Sequence, residues 1–328
     1  MVTDYLFVVI ASFLLSILFI LLFRRIASKY NILKLQGIPL IGGIGIGISF
    51  LIVSLIIFFL LKVLSLEIFG IILSSLLMLV FGIIDDWREL SVIAKFLVQI
   101  IATTLLIIFG VRTQIMYMGS LTNIIITYVW VLAITNAFNH LDIFDGLASG
   151  VATLVGSSFF VISLMNQQSA IAILTLSLIA ATFGFFIFNL PPARIYMGNC
   201  GSHLLGFTLA AIAITISYAP LERKIALLSP LLILGFPIFD TGFLILMRIK
   251  QGKLPFKKSN DHLVLRLLAL GYSKKKALVI MLALGLFFCF SGVLLSQVST
   301  TLGIVIIAIV LCVSLAITQK MGRISIDG

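Results

Sequence analysis

The sequence predicts an all-α, polytopic transmembrane helical bundle of about eleven helices, with the N-terminus outside and the C-terminus in the cytoplasm. Three observations carry this. Of 328 residues 62% are hydrophobic and 10% charged, with a mean hydropathy of +1.29, which leaves too little polar surface for a soluble domain. Eleven apolar stretches approach the ~20 residues that a helix needs to cross hydrocarbon. The Lys and Arg residues then divide eighteen to four between the two faces that such a weave creates, and the richer face is the cytoplasmic one.

The stretches run at 5–23, 40–61, 68–84, 96–111, 123–138, 147–165, 170–188, 203–219, 225–246, 277–295 and 301–318. Backbone groups cannot stay unpaired in lipid, so each is expected as a helix; the alternation of a barrel is absent. The first stretch follows MVTD, which has no Lys or Arg, and is too long for the core of a cleaved signal, so it is expected to be retained. Arg24 and Arg25 after it place the N-terminus outside. The run GGIGIGISF in the second reads as small residues for close helix packing, not as a phosphate loop. In the ninth, Pro237 is expected to end the helix early and bring Asp240 near water. The triple Lys274 to Lys276 before the tenth reads as an anchor at a lipid surface. Cys200, Cys289 and Cys312 have neither disulfide nor zinc spacing. No linker or repeat divides the chain, so 1–328 reads as a single domain, and so apolar a chain is a poor fit for nucleic acid.

Seven of the eleven acidic residues fall on the cytoplasmic side: Asp85, Asp86, Glu89, Asp142, Asp145, Asp261 and Asp327. Acidic residues do little to set topology, so the clustering needs another cause. Carboxylates at a helix C-terminus oppose its dipole, which leaves Asp85 and Asp86 without a structural motive. Asp142 and Asp145 are three residues apart and share a face if the helix continues. Asn199, Gly198, Gly201 and Ser202 open the eighth stretch, where Ser202 is a candidate cap and the helix N-terminus suits a phosphate. Asp240 lies within a membrane helix, where a charge is expensive and faces inward. Carboxylates at one membrane face suit Mg²⁺, which takes one or two of them and completes its shell with water and phosphate oxygens. Neighbouring Lys and Arg residues suit a polyphosphate. Together they point to phosphoryl chemistry at the inner interface.

Five ordered elements carry a family resemblance: IPLIGG (38–43), GIIDDWRELSVIAKFLVQ (82–99), NAFNHLDIFDGLASG (136–150), PPARIYMGNCGSHLLGF (191–207), and PIFDTGFLILMRI followed by DHLVLRLLALGYS (237–249, 261–273). In that order they resemble the polyprenyl-phosphate N-acetylhexosamine-1-phosphate transferases, whose members initiate O-antigen (lipopolysaccharide), enterobacterial common antigen and teichoic acid synthesis and include the phospho-MurNAc-pentapeptide translocase. The resemblance implies a multi-pass transferase domain over 1–328 in the cell membrane, its site facing the cytoplasm. It implies Asp85, Asp86, Asp142 and Asp145 as catalytic residues and Asp85, Asp86 and Asn199 as ligands of Mg²⁺, with Mn²⁺ as a substitute. Lys95, Asn139, Arg194, Gly198, Gly201, Ser202, Asp261, His262 and Arg266 are implied in substrate binding, with Asp240 and Arg248 beside them. The implied partners are a UDP-N-acetylhexosamine (GlcNAc by default), undecaprenyl phosphate, membrane lipids and a second copy in a homodimer.

Two positions depart from the family. Asn199 stands where an Asp binds magnesium, and Val264 and Leu265 stand where histidines would accompany Asp261, His262 and Arg266. These departures leave a second reading, a scaffold that binds lipid phosphate or nucleotide-sugar without turnover. A secondary transporter ranks last, because nearly all charges lie at the inner face rather than at mid-bilayer.

Overall fold

The computed structural model describes residues 2–30, 32–116, 118–218, 223–252 and 261–324. Glu222, Asp327 and residues 253–260 of the last inner loop lie outside them. The chain forms two compact units, Met1–Ser217 and Tyr218–Gly328.

Unit 1 contains α1 (Val2–Tyr30), β1 (Lys34–Leu35), β2 (Ile38–Pro39), α2 (Gly42–Leu61), α3 (Leu66–Trp87), α4 (Val92–Ile108), α5 (Ser120–Leu141), α6 (Leu147–Met165), α7 (Ser169–Asn189) and α8 (Gly198–Thr215). Serines mark two helix starts: Ser65 Oγ accepts the Ile68 N–H and Ser91 Oγ that of Ala94, both at 3.2 Å, satisfying donors that a helix leaves open. The two strands were not expected. They pair Lys34 with Pro39 and Leu35 with Ile38 around Gln36 and Gly37, both at positive φ, the conformation that a two-residue hairpin demands. Helix α8 is buried along nearly its whole length and forms the core of the unit. Around it α1 docks on α7 through buried serines, with Ser12 Oγ and Ser177 Oγ 3.0 Å apart and Ser16 Oγ donating to the Ala181 carbonyl. The outer face of α1 carries exposed Leu6, Leu14 and Leu18, as hydrocarbon contact requires.

Unit 2 begins, among the described residues, with a 3-10 turn at Lys224–Leu228, followed by α9 (Ser229–Ile233), α10 (Gly235–Lys250), α11 (Leu263–Ala269), α12 (Lys274–Gln297) and α13 (Thr300–Gly322). The expected ninth helix is broken: Lys224–Ile233 and Gly235–Lys250 meet at a 64° bend. Pro237 therefore begins a helix rather than ending one, in the first turn where its missing N–H removes no bond. Asp240 is correspondingly buried, at 1% exposure, not brought to water.

Among the described residues each of the eleven expected stretches is mostly helical, the ninth of them broken. Among the described residues eight helices (α1, α2, α3, α5, α6, α7, α12 and α13) are long and apolar enough to cross a membrane, and the bent pair, taken as one span, makes nine. The other two are α4, which is shorter, and the enclosed α8. The chain is thus a multi-pass, all-helical membrane protein with one small hairpin.

Candidate active site

Helix α3 runs through Asp85 and Asp86 to Trp87, and the charge that its own dipole disfavours is met from α8. Asp86 Oδ1 accepts the Asn199 N–H at 2.7 Å and its Oδ2 the Cys200 N–H at 3.0 Å. A carboxylate from the C-terminal end of one helix thus caps the positive N-terminus of another. The expected cap does not form: Ser202 Oγ donates back to the Asn199 carbonyl at 3.4 Å, and no side chain local to α8 caps it. The phosphate-like anion at this helix is the protein's own.

Glycines allow the approach. A Cβ on Gly82 would lie 2.2 Å from Cys200 Cα, one on Gly43 would lie 2.1 Å from the Gly201 nitrogen, and one on Gly201 would lie 2.8 Å from Gly43 Cα. Gly198 has φ +77°, and its Cβ would lie 2.6 Å from Asp86 Oδ2. The segment before α2 is tied in by its backbone: Tyr196 N–H donates to the Pro39 carbonyl, and the Gly42 and Gly43 N–H groups donate to the carbonyls of Tyr196 and Met197 at 3.0 and 2.8 Å.

Asp85 faces elsewhere. Its buried carboxylate accepts the Leu90 N–H at 2.8 Å and pairs with Lys95 Nζ at 2.6 Å. Lys95 is therefore engaged by the protein, and Asp85 is neutralised by it. Removing one partner of such a pair strands a buried charge. Lys95→Met is expected to lower stability by about 3 kcal/mol, read as thermal unfolding in detergent, and Lys95→Met with Asp85→Asn should recover part of the loss. A double variant no better than the single would show that the pair is not the cause.

The second motif meets the third. Asn139 Nδ2 donates to Asn199 Oδ1 at 3.2 Å and to Ser202 Oγ at 3.1 Å. Helix α5 ends at Leu141, so Asp142 and Asp145 sit on the turn before α6 and not on a continued helical face. Asp145 Oδ2 accepts the Ala193 N–H at 3.1 Å. Burial first, then the negative Asp86 and Asp145, push the Asp142 carboxyl well above the ordinary carboxylate range. These three acids are therefore electrostatic neighbours. Arg194 is exposed, with its backbone N–H bonded to the Phe188 carbonyl.

Asn189, which the motif reading passed over, holds the loop in place. Its Oδ1 accepts the Gly146 N–H and the Ser149 hydroxyl at 2.9 and 3.1 Å, while its Nδ2 donates to the Ile195 carbonyl at 3.0 Å. An amide buried at the end of an apolar helix was the available signal. Beside Asp86 opens a cleft of about 270 Å³ lined by Ile32, Leu33, Lys34, Leu40 and Trp87.

In unit 2 the implied residues also gather. His262 Nδ1 lies 3.3 Å from Asp240 Oδ2, and Arg266 Nη2 donates to Asp261 Oδ1 at 3.1 Å, as does Gln251 Nε2 at 2.8 Å. Asp240, Arg248, Asp261, His262 and Arg266 are all buried.

The family model for glycosyl transferase family 4 matches residues 68–217, the stretch that carries α3 through α8. The chain is 31% identical over 263 residues to a probable undecaprenyl-phosphate N-acetylglucosaminyl 1-phosphate transferase of Bacillus subtilis, covering 77% of this chain and 72% of that protein. It is 29% identical over 240 residues to a decaprenyl-phosphate N-acetylglucosaminephosphotransferase of Mycolicibacterium smegmatis, covering 64% and 59%. It is 27% identical over 318 residues to a phospho-N-acetylmuramoyl-pentapeptide-transferase of Halalkalibacterium halodurans, covering 87% and 94%. The matched residues are those that the fold draws together around the N-terminus of α8, and the chain belongs to glycosyl transferase family 4.

Proposed function

We propose that this protein transfers N-acetylglucosamine-1-phosphate from UDP-GlcNAc to undecaprenyl phosphate with release of UMP, the first step of a cell-envelope glycan. The relatives' names support the reaction class. The observation that carries it is a hydrogen-bonded chain through three motifs distant in sequence: Asp86 to the Asn199 backbone, and Asn199 Oδ1 to Asn139.

In this reading the lipid phosphate oxygen attacks the β-phosphorus of the donor, the bond to the UMP oxygen breaks, and catalysis rests on positioning and electrostatics. Asn139 and Asn199 orient the donor with neutral amide groups, and Asp142, high in proton affinity, takes or returns a proton at the phosphate. The apolar rim of the cleft beside Asp86 suits the first units of a prenyl chain. The reading takes 1–328 as one transferase domain, with eleven crossings, the N-terminus outside and the site toward the cytoplasm, as the Lys and Arg distribution implies.

Mg²⁺, or Mn²⁺ in its place, belongs to this proposal. Among the described residues no group of three His, Cys, Asp or Glu side chains is placed to hold a metal ion. A hard cation needs only one or two carboxylates and fills its shell with water and phosphate oxygens. Asp86 would hold it, with Asn199 contributing an amide oxygen; Asp85, paired with Lys95, is the weaker ligand. When bound, the ion would offset charge on the diphosphate and on the departing UMP.

Purified protein with UDP-GlcNAc, Mg²⁺ and undecaprenyl phosphate is expected to yield UMP and a GlcNAc-diphosphate lipid. The scaffold reading is favoured by one observation: Asn199 Oδ1 already accepts a hydrogen bond from Asn139 Nδ2 and brings no charge. If several UDP-N-acetylhexosamines raise the unfolding temperature yet none is turned over, and Asn199→Asp then restores turnover, the wild-type chain is the scaffold.

A further inference from the structure

We propose that Arg266 is a positioning residue that latches the Asp261–His262 segment to the C-terminal turn of α13, so that the end of the last helix sets the geometry of the histidine. This role rests on the transferase reading for its consequence, though not for its existence.

Helix α13 is bare along most of its length: of its residues only Gly303, Val310 and Met321 are buried. Its foot is held differently. Arg266 Nη1 donates to the Met321 carbonyl at 2.9 Å and to the Ile324 carbonyl, and the guanidinium lies 5.2 Å from the Phe243 ring centroid. A Cβ on Gly322 would lie 3.3 Å from Met247 Cε, so the helix end sits against α10. The last carbonyls of a helix have no partner within it and carry the negative end of its dipole. A planar guanidinium meets the Met321 carbonyl of the last turn and the Ile324 carbonyl just past it with one nitrogen, and a carboxylate with another, which a lysine cannot reproduce.

The other side of the fork holds Asp261, whose Oδ1 also takes the Gln251 amide, and the next residue, His262, leans on Asp240. Arg266 is 2% exposed. Its two terminal nitrogens face the tail and Asp261, and its buried Nε meets no partner among the described residues, so the guanidinium is enclosed by the protein. The sequence pattern places Arg266 in the binding set; the structure instead gives it to the frame around that set.

The test uses full-length protein in detergent with four variants. Arg266→Met removes the fork, Met321→Pro breaks the last helical turn, the double variant combines them, and Arg323→Ala, an exposed neighbour, serves as control. Each of the first two is expected to lower turnover at saturating UDP-GlcNAc by roughly tenfold or more. The double should be no worse than the poorer single variant, because both break one connection. Amide hydrogen exchange over 261–267 should quicken in all three, with the control unchanged. Multiplicative losses, or unchanged exchange over 261–267 in Met321→Pro, would overturn the latch and return Arg266 to the substrate. Should Met321→Pro yield no folded protein, Arg266→Lys decides: faster exchange over both 261–267 and 318–324 supports the latch, and faster exchange over one alone overturns it. A wild-type chain without turnover would remove the transferase reading, and exchange by itself would still decide the latch.

Discussion

Replacing Asp86 by asparagine is expected to lower turnover by about 10² to 10³, the range seen when one preorganised electrostatic contact is removed. Two effects add in the same direction. The variant loses the negative charge that meets the N-terminus of α8, worth about 1 kcal/mol to the helix. It also removes the carboxylate proposed as the main ligand of a divalent cation. The asparagine keeps one carbonyl oxygen, so one of the two N–H groups of Asn199 and Cys200 keeps an acceptor while the other faces an amide nitrogen. A larger loss of turnover than of stability is therefore expected, and measuring kcat beside the thermal midpoint separates them. Asp86→Glu retains the charge but lengthens the arm by a methylene against Gly198, where even a Cβ would lie 2.6 Å from the present carboxylate. It should also fail. If Asp86→Asn turned over at the wild-type rate, Asp86 would be a helix cap and nothing more.

Gly82→Ala and Gly43→Ala should be comparably severe for a different reason. Buried glycines such as Gly47 and Gly156 face flexible side chains, which can shift to admit a methyl group. Gly82 and Gly43 meet backbone at the start of α8: Cys200 Cα for Gly82 and the Gly201 nitrogen for Gly43. The first turn of α8 must then move away from α3 and α2, and it carries the amides that Asp86 binds. Overpacking of this kind costs about 1–3 kcal/mol, while a displacement near 1 Å costs on the order of a hundredfold in rate. Both variants should thus be folded and nearly inactive. Gly47→Ala faces the flexible ends of Leu79 and Leu204 and should retain most activity. Activity measurements on the three, normalised to folded protein, decide this; equal activity throughout would show that the α8 contact does not set the site.

Much of the fold was legible because membrane helices announce themselves locally. Hydropathy sums over a window, so each of the eleven stretches could be read without knowledge of its neighbours. The exceptions are instructive. The break at Leu234 was misjudged because Pro237 was read as a stop, whereas a proline in a first turn is well tolerated. The hairpin at 34–39 was missed because two-residue strands carry almost no pattern, although Gln36–Gly37 was a turn signal. Whether α5 continued through Asp145 was left open, because a helix end is the least certain feature of any helix; it ends at Leu141.

The site divides the same way. The sequence by itself determined that acidic, amide and basic residues would collect at one end of the helices, and five ordered motifs identified which ones. Only the tertiary structure decided their partners: Asp86 with the N-terminus of α8, Asp85 with Lys95, Asn139 with Asn199, and Arg266 with the end of α13. The physical reason is one of range. Apolarity and helical periodicity act over neighbouring residues and are written along the chain. A hydrogen bond between residues 113 apart, such as Asp86 to Asn199, depends on how closely two helices approach, and that distance is set by glycines whose role appears only when their neighbours are in place.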